Sequence, residues 1–139
     1  MILVDTSVWV DLLRGGGKPA TRELERRMSR PADLACTEPV AMELLAGGRG
    51  PELDRVERLG TGLVSLTVEP FVDYRAAAGI YRLVRGSGHT VHSLQDCLIA
   101  AIAIRHGVTL LDHDRDYERI SDRVRPTAGS STAPTGQVG

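Results

Sequence analysis

Four short apolar runs, separated by helical patterns, constrain this chain more than anything else in it. Ile2, Leu3 and Val4 are apolar and largely β-branched with no polar alternation, as in a strand buried on both faces of a parallel sheet. The runs "LACT", "LVSLTV" and "VTLL" read as three further strands. Helical patterns fill the intervals. One covers 7–14 and is stopped by the glycines at 15–17, and another covers 19–29 with Ala20, Leu24 and Met28 in a stripe. Thr37 reads as the N-cap of a helix with Pro39 in its first turn, which runs to Ala46 and ends at Gly47 and Gly48. Pro51 opens a helix that turns Leu53, Val56 and Leu59 inward and ends at Gly60. Over 71–85, Phe71, Tyr74, Ala78 and Tyr81 are expected to hold one apolar face. Ser93 begins a helix that Gly107 ends, and a short helix is expected near 117–120. Strands alternating with helices predict an α/β sandwich around a mainly parallel sheet.

Acidic residues sit at the joints of this pattern. Asp5 ends "ILVDTS", Glu43 interrupts "PVAMELLAG", Asp96 opens "SLQDCLIAAIAIRHG", and Asp114 and Asp116 follow "VTLL". Carboxylates are rarely buried unless paired or bound to a metal. Spread along the chain yet each beside an apolar segment, they predict convergence on one pocket. Oxygen ligands without His or Cys favour Mg²⁺, with Mn²⁺ as a substitute, over zinc. Asp5 and Asp114 both lie just past a strand's carboxyl end, where ligands of open parallel sheets collect.

Each acid also has a plainer explanation. Asp5 can serve as a helix cap, as can Thr6 or Ser7. Ser93 and Asp96 form the S-x-x-[DE] capping-box pattern. Glu43 resists such a reading, because Val40, Ala41, Met42, Leu44, Leu45 and Ala46 surround it, and a buried Arg partner is its structural alternative. Asp112, Asp114 and Asp116 alternate and would share one side of an extended segment, or form a solvated loop. His113, between two acids, reads as a surface-loop histidine. The joint occurrence of the acids carries the inference.

Composition bounds the rest. At 139 residues and 15.0 kDa the chain fits one domain, and a 42% hydrophobic fraction supports a core of Leu, Ile, Val and Ala, since aromatics make up only 4%. A net charge of −1 neither favours nor excludes nucleic acid. Of the 17 basic residues only Lys18 is lysine, and arginine's rigid fork of donors suits phosphate, although genomic bias explains the excess equally well. Cys36 and Cys97 show no metal or redox spacing and read as buried thiols. The opening lacks a basic leader, and no stretch approaches a membrane span, so a cytoplasmic protein is expected. The residues around Gly15 and Lys18 fail as a phosphate-binding loop, with Leu12 in place of its first glycine and Pro19 in place of its Ser or Thr.

Taken together, "ILVDTSVWVDLLR", "EPVAMELLAG" and "SLQDCLIAAIAIRHGVTLLDHDRDYERI" resemble the PIN-domain nucleases, and more closely the VapC toxins of bacterial toxin–antitoxin pairs. The resemblance covers residues 1–125 and leaves a tail at 126–139, poor in apolar residues and expected to be disordered. It implies the PIN-like α/β/α sandwich, with Asp5, Glu43, Asp96 and Asp114 as the acidic metal-binding quartet, Asp116 as a further catalytic acid, and Thr6 and Ser7 as supporting hydroxyls. It also implies metal-dependent cleavage of single-stranded or structured RNA, with tRNA foremost, a homodimer, and inhibition by a VapB-like antitoxin. Arg14, Arg49 and Arg85, beside glycine-rich turns, are candidates for phosphate contact. Asp112 departs from the family pattern, which often has a neutral or basic residue there. A non-toxin RNA-processing nuclease and an inactive PIN-like binding module are the alternatives. A phosphatase of the haloacid dehalogenase type needs a second Asp two residues after the first, where this chain has Ser7.

Overall fold

The computed structural model describes residues 1–88 and 93–113. Four strands and six helices alternate along them: β1 (Ile2–Val4), α1 (Thr6–Leu13), α2 (Pro19–Arg27), β2 (Leu34–Cys36), α3 (Glu38–Gly47), α4 (Pro51–Gly60), β3 (Val64–Ser65), α5 (Pro70–Gly86), α6 (Leu94–His106) and β4 (Thr109–Leu111). One 3-10 turn, Pro31–Asp33, precedes β2. Asp114, Asp116, the helix expected at 117–120 and the tail from 126 lie outside the described residues, as do His89 and His92.

The strands form a single sheet in the order β3-β2-β1-β4, and every pairing is parallel. Ile2 stands opposite Leu34 on one side and Thr109 on the other, so β1 is a central strand. All three of its residues are buried, as their lack of polar alternation predicts. Helices flank the sheet and close the core. α6 contributes an unbroken buried run from Cys97 to Ala103, and α1 contributes Val8, Trp9 and Leu12. α6 ends at Gly107, whose φ of 63° lies in the left-handed region that favours glycine.

Two expectations need correction. The run "LVSLTV" yields a strand of only two residues: Leu66 N–H still reaches the Cys36 carbonyl at 2.8 Å, but Thr67 and Val68 bind other groups. Val68 N–H donates to Glu38 Oε2 at 2.9 Å, and the Thr67 carbonyl accepts from Arg105 Nη2 at 2.7 Å. On α5 the inward face is only partly the one expected, since Tyr81 packs against the core but Phe71 and Tyr74 do not. Phe71 is 87% exposed and Tyr74 57%, whereas Asp73, Ala77 and Ile80 are buried.

The reason is an ion pair. Asp73 Oδ1 accepts from Arg105 Nε at 2.7 Å and Oδ2 from Arg105 Nη2 at 2.9 Å, while Glu69 N–H donates to Oδ2 at 2.7 Å. Once Asp73 faces α6, positions four and seven residues on must follow it inward. The pair joins the first turn of α5 to the last turn of α6, so the two helices run antiparallel. Burial pushes the Asp73 carboxyl up, but the Arg105 guanidinium and the Glu69 N–H outweigh it and hold the group below its ordinary value.

Candidate active site

Strand order reverses beside β1: β2 and β3 lie on one side of it and β4 on the other. The crevice beyond the carboxyl ends of β1 and β4 is therefore the switch point of the sheet, where ligands of such folds bind. Asp5 is the first residue past β1 and Asp112 the first past β4. Asp5 N–H donates to the Leu111 carbonyl at 2.9 Å, which carries the β1–β4 ladder one step into the crevice.

Asp5 is only 5% exposed. It does cap α1, since its Oδ2 accepts from Ser7 N–H at 3.0 Å and from Ser7 Oγ at 2.6 Å. Capping accounts for that one oxygen. Oδ1 is buried and has no hydrogen-bond partner among the described residues. A buried carboxylate oxygen without a donor is costly. The cap alone does not explain it.

The two hydroxyls after Asp5 serve different acids. Thr6 Oγ1 donates to Glu43 Oε2, so among the described residues the acid that interrupts the apolar pattern of α3 is met by a hydroxyl rather than by a buried Arg. Ser7 Oγ lies between Asp5 and Asp112, 3.0 Å from Asp112 Oδ1, and His113 N–H donates to that same oxygen at 2.6 Å. Asp96 stands in the first turn of α6, with its N–H bonded to Ser93 Oγ at 3.0 Å, which bears out the Ser93 half of the capping box. Gln95 Nε2 reaches the Pro39 carbonyl at 3.3 Å and ties the start of α6 to the start of α3, the helix that carries Glu43. Burial, and then the charge of Asp96, pushes the neighbouring Cys97 thiol up. Thr37 occupies the N-cap of α3, but its hydroxyl turns to Glu38 Oε2 instead of a helix N–H.

The structure thus joins Asp5 to Asp112 through Ser7, and Glu43 to Thr6 on α1. Among the described residues, no three His, Cys, Asp or Glu side chains lie close enough to share one ion. The donors present are nonetheless all oxygens, and Asp5 Oδ1 is an unpartnered atom of the kind a hard cation takes. Asp112, which departs from the family pattern, belongs to this crevice. Its offset from a strand end equals that of Asp5, which was the available signal. His113 is half-buried with Nε2 unpartnered among the described residues, not a surface-loop histidine.

Arg14, Arg49 and Arg85 are all exposed. Arg14 caps the far end of α1 from Asp5, roughly 13 Å along the helix. Arg49 lies beyond the end of α3. Arg85 ends α5 and, because α5 and α6 are antiparallel, lies at the end of the hairpin that carries Asp96.

With this architecture in view, comparison with known proteins gives the class. The PIN domain family profile matches residues 2–123, and the chain belongs to that family. Within it the similarity is to VapC ribonucleases. The chain is 48% identical over 123 residues to VapC ribonuclease Mb1587 of Mycobacterium bovis, covering 87% of this chain and 92% of that one. Identity and coverage are the same for ribonuclease VapC11 of Mycobacterium tuberculosis. Among solved structures, FitAcB from Neisseria gonorrhoeae superposes with a TM-score of 0.63 at 22% identity, covering 88% of this chain and 94% of that one. VapBC2 from Rickettsia felis, bound to a DNA fragment from its promoter, gives 0.63 at 17% identity, covering 86% and 92%. At these identities the two structures establish the fold.

Proposed function

We propose that this chain is a divalent-metal-dependent endoribonuclease of the VapC type, a toxin held silent by a VapB-like antitoxin. The observation that carries the reading is Asp5: buried, fixed by the sheet and by Ser7, and left with an unpartnered oxygen at the switch point. Similarity at 48% identity to VapC ribonucleases supports the ribonuclease activity, and structural neighbours solved as toxin–antitoxin complexes support the partner.

Asp5 and Asp96, with Asp114, would hold the ion, and Glu43 would complete the acidic set. Asp116 is the further acid in this reading, and Thr6 and Ser7 orient Glu43 and Asp5. Mg²⁺, with Mn²⁺ as substitute, would supply positive charge for a scissile phosphate and would lower the pKa of a bound water. The protein's part is to fix the carboxylates before substrate arrives. Asp5 cannot swing without breaking two hydrogen bonds from Ser7. Arg85 is the best placed of the three arginines to meet a phosphate on the substrate strand, and structured RNA such as tRNA offers exposed phosphates and splayed bases. The nuclease domain spans 1–125 in this reading, the active form is a homodimer, and the protein works in the cytoplasm.

The exposed apolar side chains Met42 and Leu45 on α3 support docking of an antitoxin helix. An Arg or Lys beyond that helix would enter the carboxylate crevice. Expression alone should arrest bacterial growth, and co-expression with the neighbouring open reading frame should restore it. Asp5→Asn should abolish RNA cleavage and toxicity while the fold survives. Cleavage retained by Asp5→Asn in Mg²⁺ would refute the site. Normal growth with abundant folded wild-type protein would refute the toxin role.

A further inference from the structure

Two of the acids come from helices far apart in the chain, Glu43 from α3 and Asp96 from α6. For both to meet one ion, the starts of these helices must keep a fixed spacing. Gln95 supplies a bond that does this, its Nε2 donating to the Pro39 carbonyl at 3.3 Å. In an α-helix the carbonyl of residue i accepts from the N–H of residue i+4, and for Pro39 that residue is Glu43. Gln95 therefore holds α3 at the backbone position from which Glu43 projects. Pro39 makes a stiff anchor, because its ring fixes φ. At the other end, Gln95 is the chain neighbour of Asp96, in a first turn that Ser93 Oγ caps by accepting from Asp96 N–H at 3.0 Å. Gln95 is half-buried, which limits competition from water for the bond. Thr6 then holds the Glu43 carboxylate itself, beside Asp5.

We infer that Gln95 is a positioning residue of the nuclease site: it fixes Glu43 on α3 relative to Asp96 on α6, so that both carboxylates meet the same divalent ion. The inference rests on the reading of those two acids as members of the metal-binding set. Gln95 acts through Glu43 and touches neither ion nor substrate. An uncharged donor suits the task. A Lys or Arg beside Asp96 would bring its own cation to the acids, and an Asp or Glu would add to their repulsion.

Mn²⁺ binding to the full chain without RNA, followed by isothermal titration calorimetry, measures the effect apart from cleavage. Gln95→Met keeps the length of the side chain and removes the donor. Its Kd for Mn²⁺ should rise by roughly tenfold, the scale on which groups that orient a metal ligand act. In a Glu43→Gln background the same change should move Kd by less than about twofold, because the acid it positions is already gone. Asp73→Ala, which loosens α6 at its opposite end, should lower Tm and leave Kd unchanged. A Kd for Gln95→Met within about twofold of wild type would overturn the inference. So would an equal rise in both backgrounds, or a matching rise in Asp73→Ala, since general loosening would then explain it. Should Gln95→Met not fold, Gln95→Leu removes the same donor and gives the same readout. If Glu43→Gln and Asp96→Asn both bind Mn²⁺ as wild type does, the metal-site reading fails and the inference with it. If those two bind weakly while Gln95→Met binds normally, only the role of Gln95 falls.

Discussion

Asp11 shows how one side chain can anchor a loop. Its Oδ2 accepts from Thr21 Oγ1 at 2.6 Å and from Lys18 N–H at 3.4 Å, and chiefly the Thr21 bond holds its carboxyl below the ordinary value. Thr21 is fully buried, so its hydroxyl depends on that acceptor. A Cβ on Gly16 would stand 2.1 Å from Asp11 Oδ1, too close for any real contact. Gly16→Ala should therefore push the carboxylate off Thr21 and lower Tm by a few degrees. In an Asp11→Ala background the same change should cost less, because the obstructing group is gone. Thermal melts of the four proteins in this double-mutant cycle measure the coupling, and strict additivity would refute the contact. The glycines at 15–17 were legible as a helix stop. The close approach at Gly16 was not, since it depends on a turn between two helices that no local pattern specifies.

At the level of elements, nearly every strand and helix could be read from periodicity, caps and punctuation, because each rests on local rules. The facing of α5 could not. Of the expected stripe only Tyr81 packs against the core; Phe71 and Tyr74 face solvent, and a buried charge placed Asp73, Ala77 and Ile80 inward. A long-range ion pair outranked hydrophobic spacing, and nothing near Asp73 in the sequence names Arg105 as its partner. Asp73→Ala should lower Tm measurably, because it removes the buried half of a pair whose Arg105 is exposed and can be solvated. Arg105→Met should be worse, because it leaves a carboxylate buried without its cation. The Asp73 carboxyl is depressed in the folded state. Its contribution is therefore fully present above the unfolded value of about 4 and is lost as pH falls through the lower folded value. Urea melts from pH 7 to pH 3 should show the gap between wild type and Asp73→Ala closing only at the acid end. A constant gap would show that packing, not charge, accounts for the difference.

For the molecule as a whole, the sheet order decides where the acids meet. β1 pairs in parallel with β4, Val4 standing opposite Leu111. That pairing is what brings Asp5 and Asp112 to one crevice. The contributions of Asp114 and Asp116 remain sequence expectations. If the crevice holds an ion only when folded, Mn²⁺ at a hundredfold excess over Kd should stabilise the protein by about 2.7 kcal/mol, and chelator should reverse the gain. An unchanged Tm at saturating Mn²⁺ would count against a preformed site. Deleting residues 126–139 should leave cleavage and Tm unaltered, since that segment has no aromatic residue and little else to bury. A truncated protein that precipitates would show that the tail docks.

The hydrogen bond from Asp5 N–H to the Leu111 carbonyl has an evolutionary consequence. By pinning the crevice backbone it keeps Asp5 and Asp112 side by side and leaves them little room to move apart. Neutral replacements there should make a sturdier but inert protein. Selection for thermal endurance alone, in a library that is never asked to cleave RNA, should then erase these acids repeatedly and leave the surrounding core intact. A lineage that keeps them is being held to its chemistry against the pull of stability.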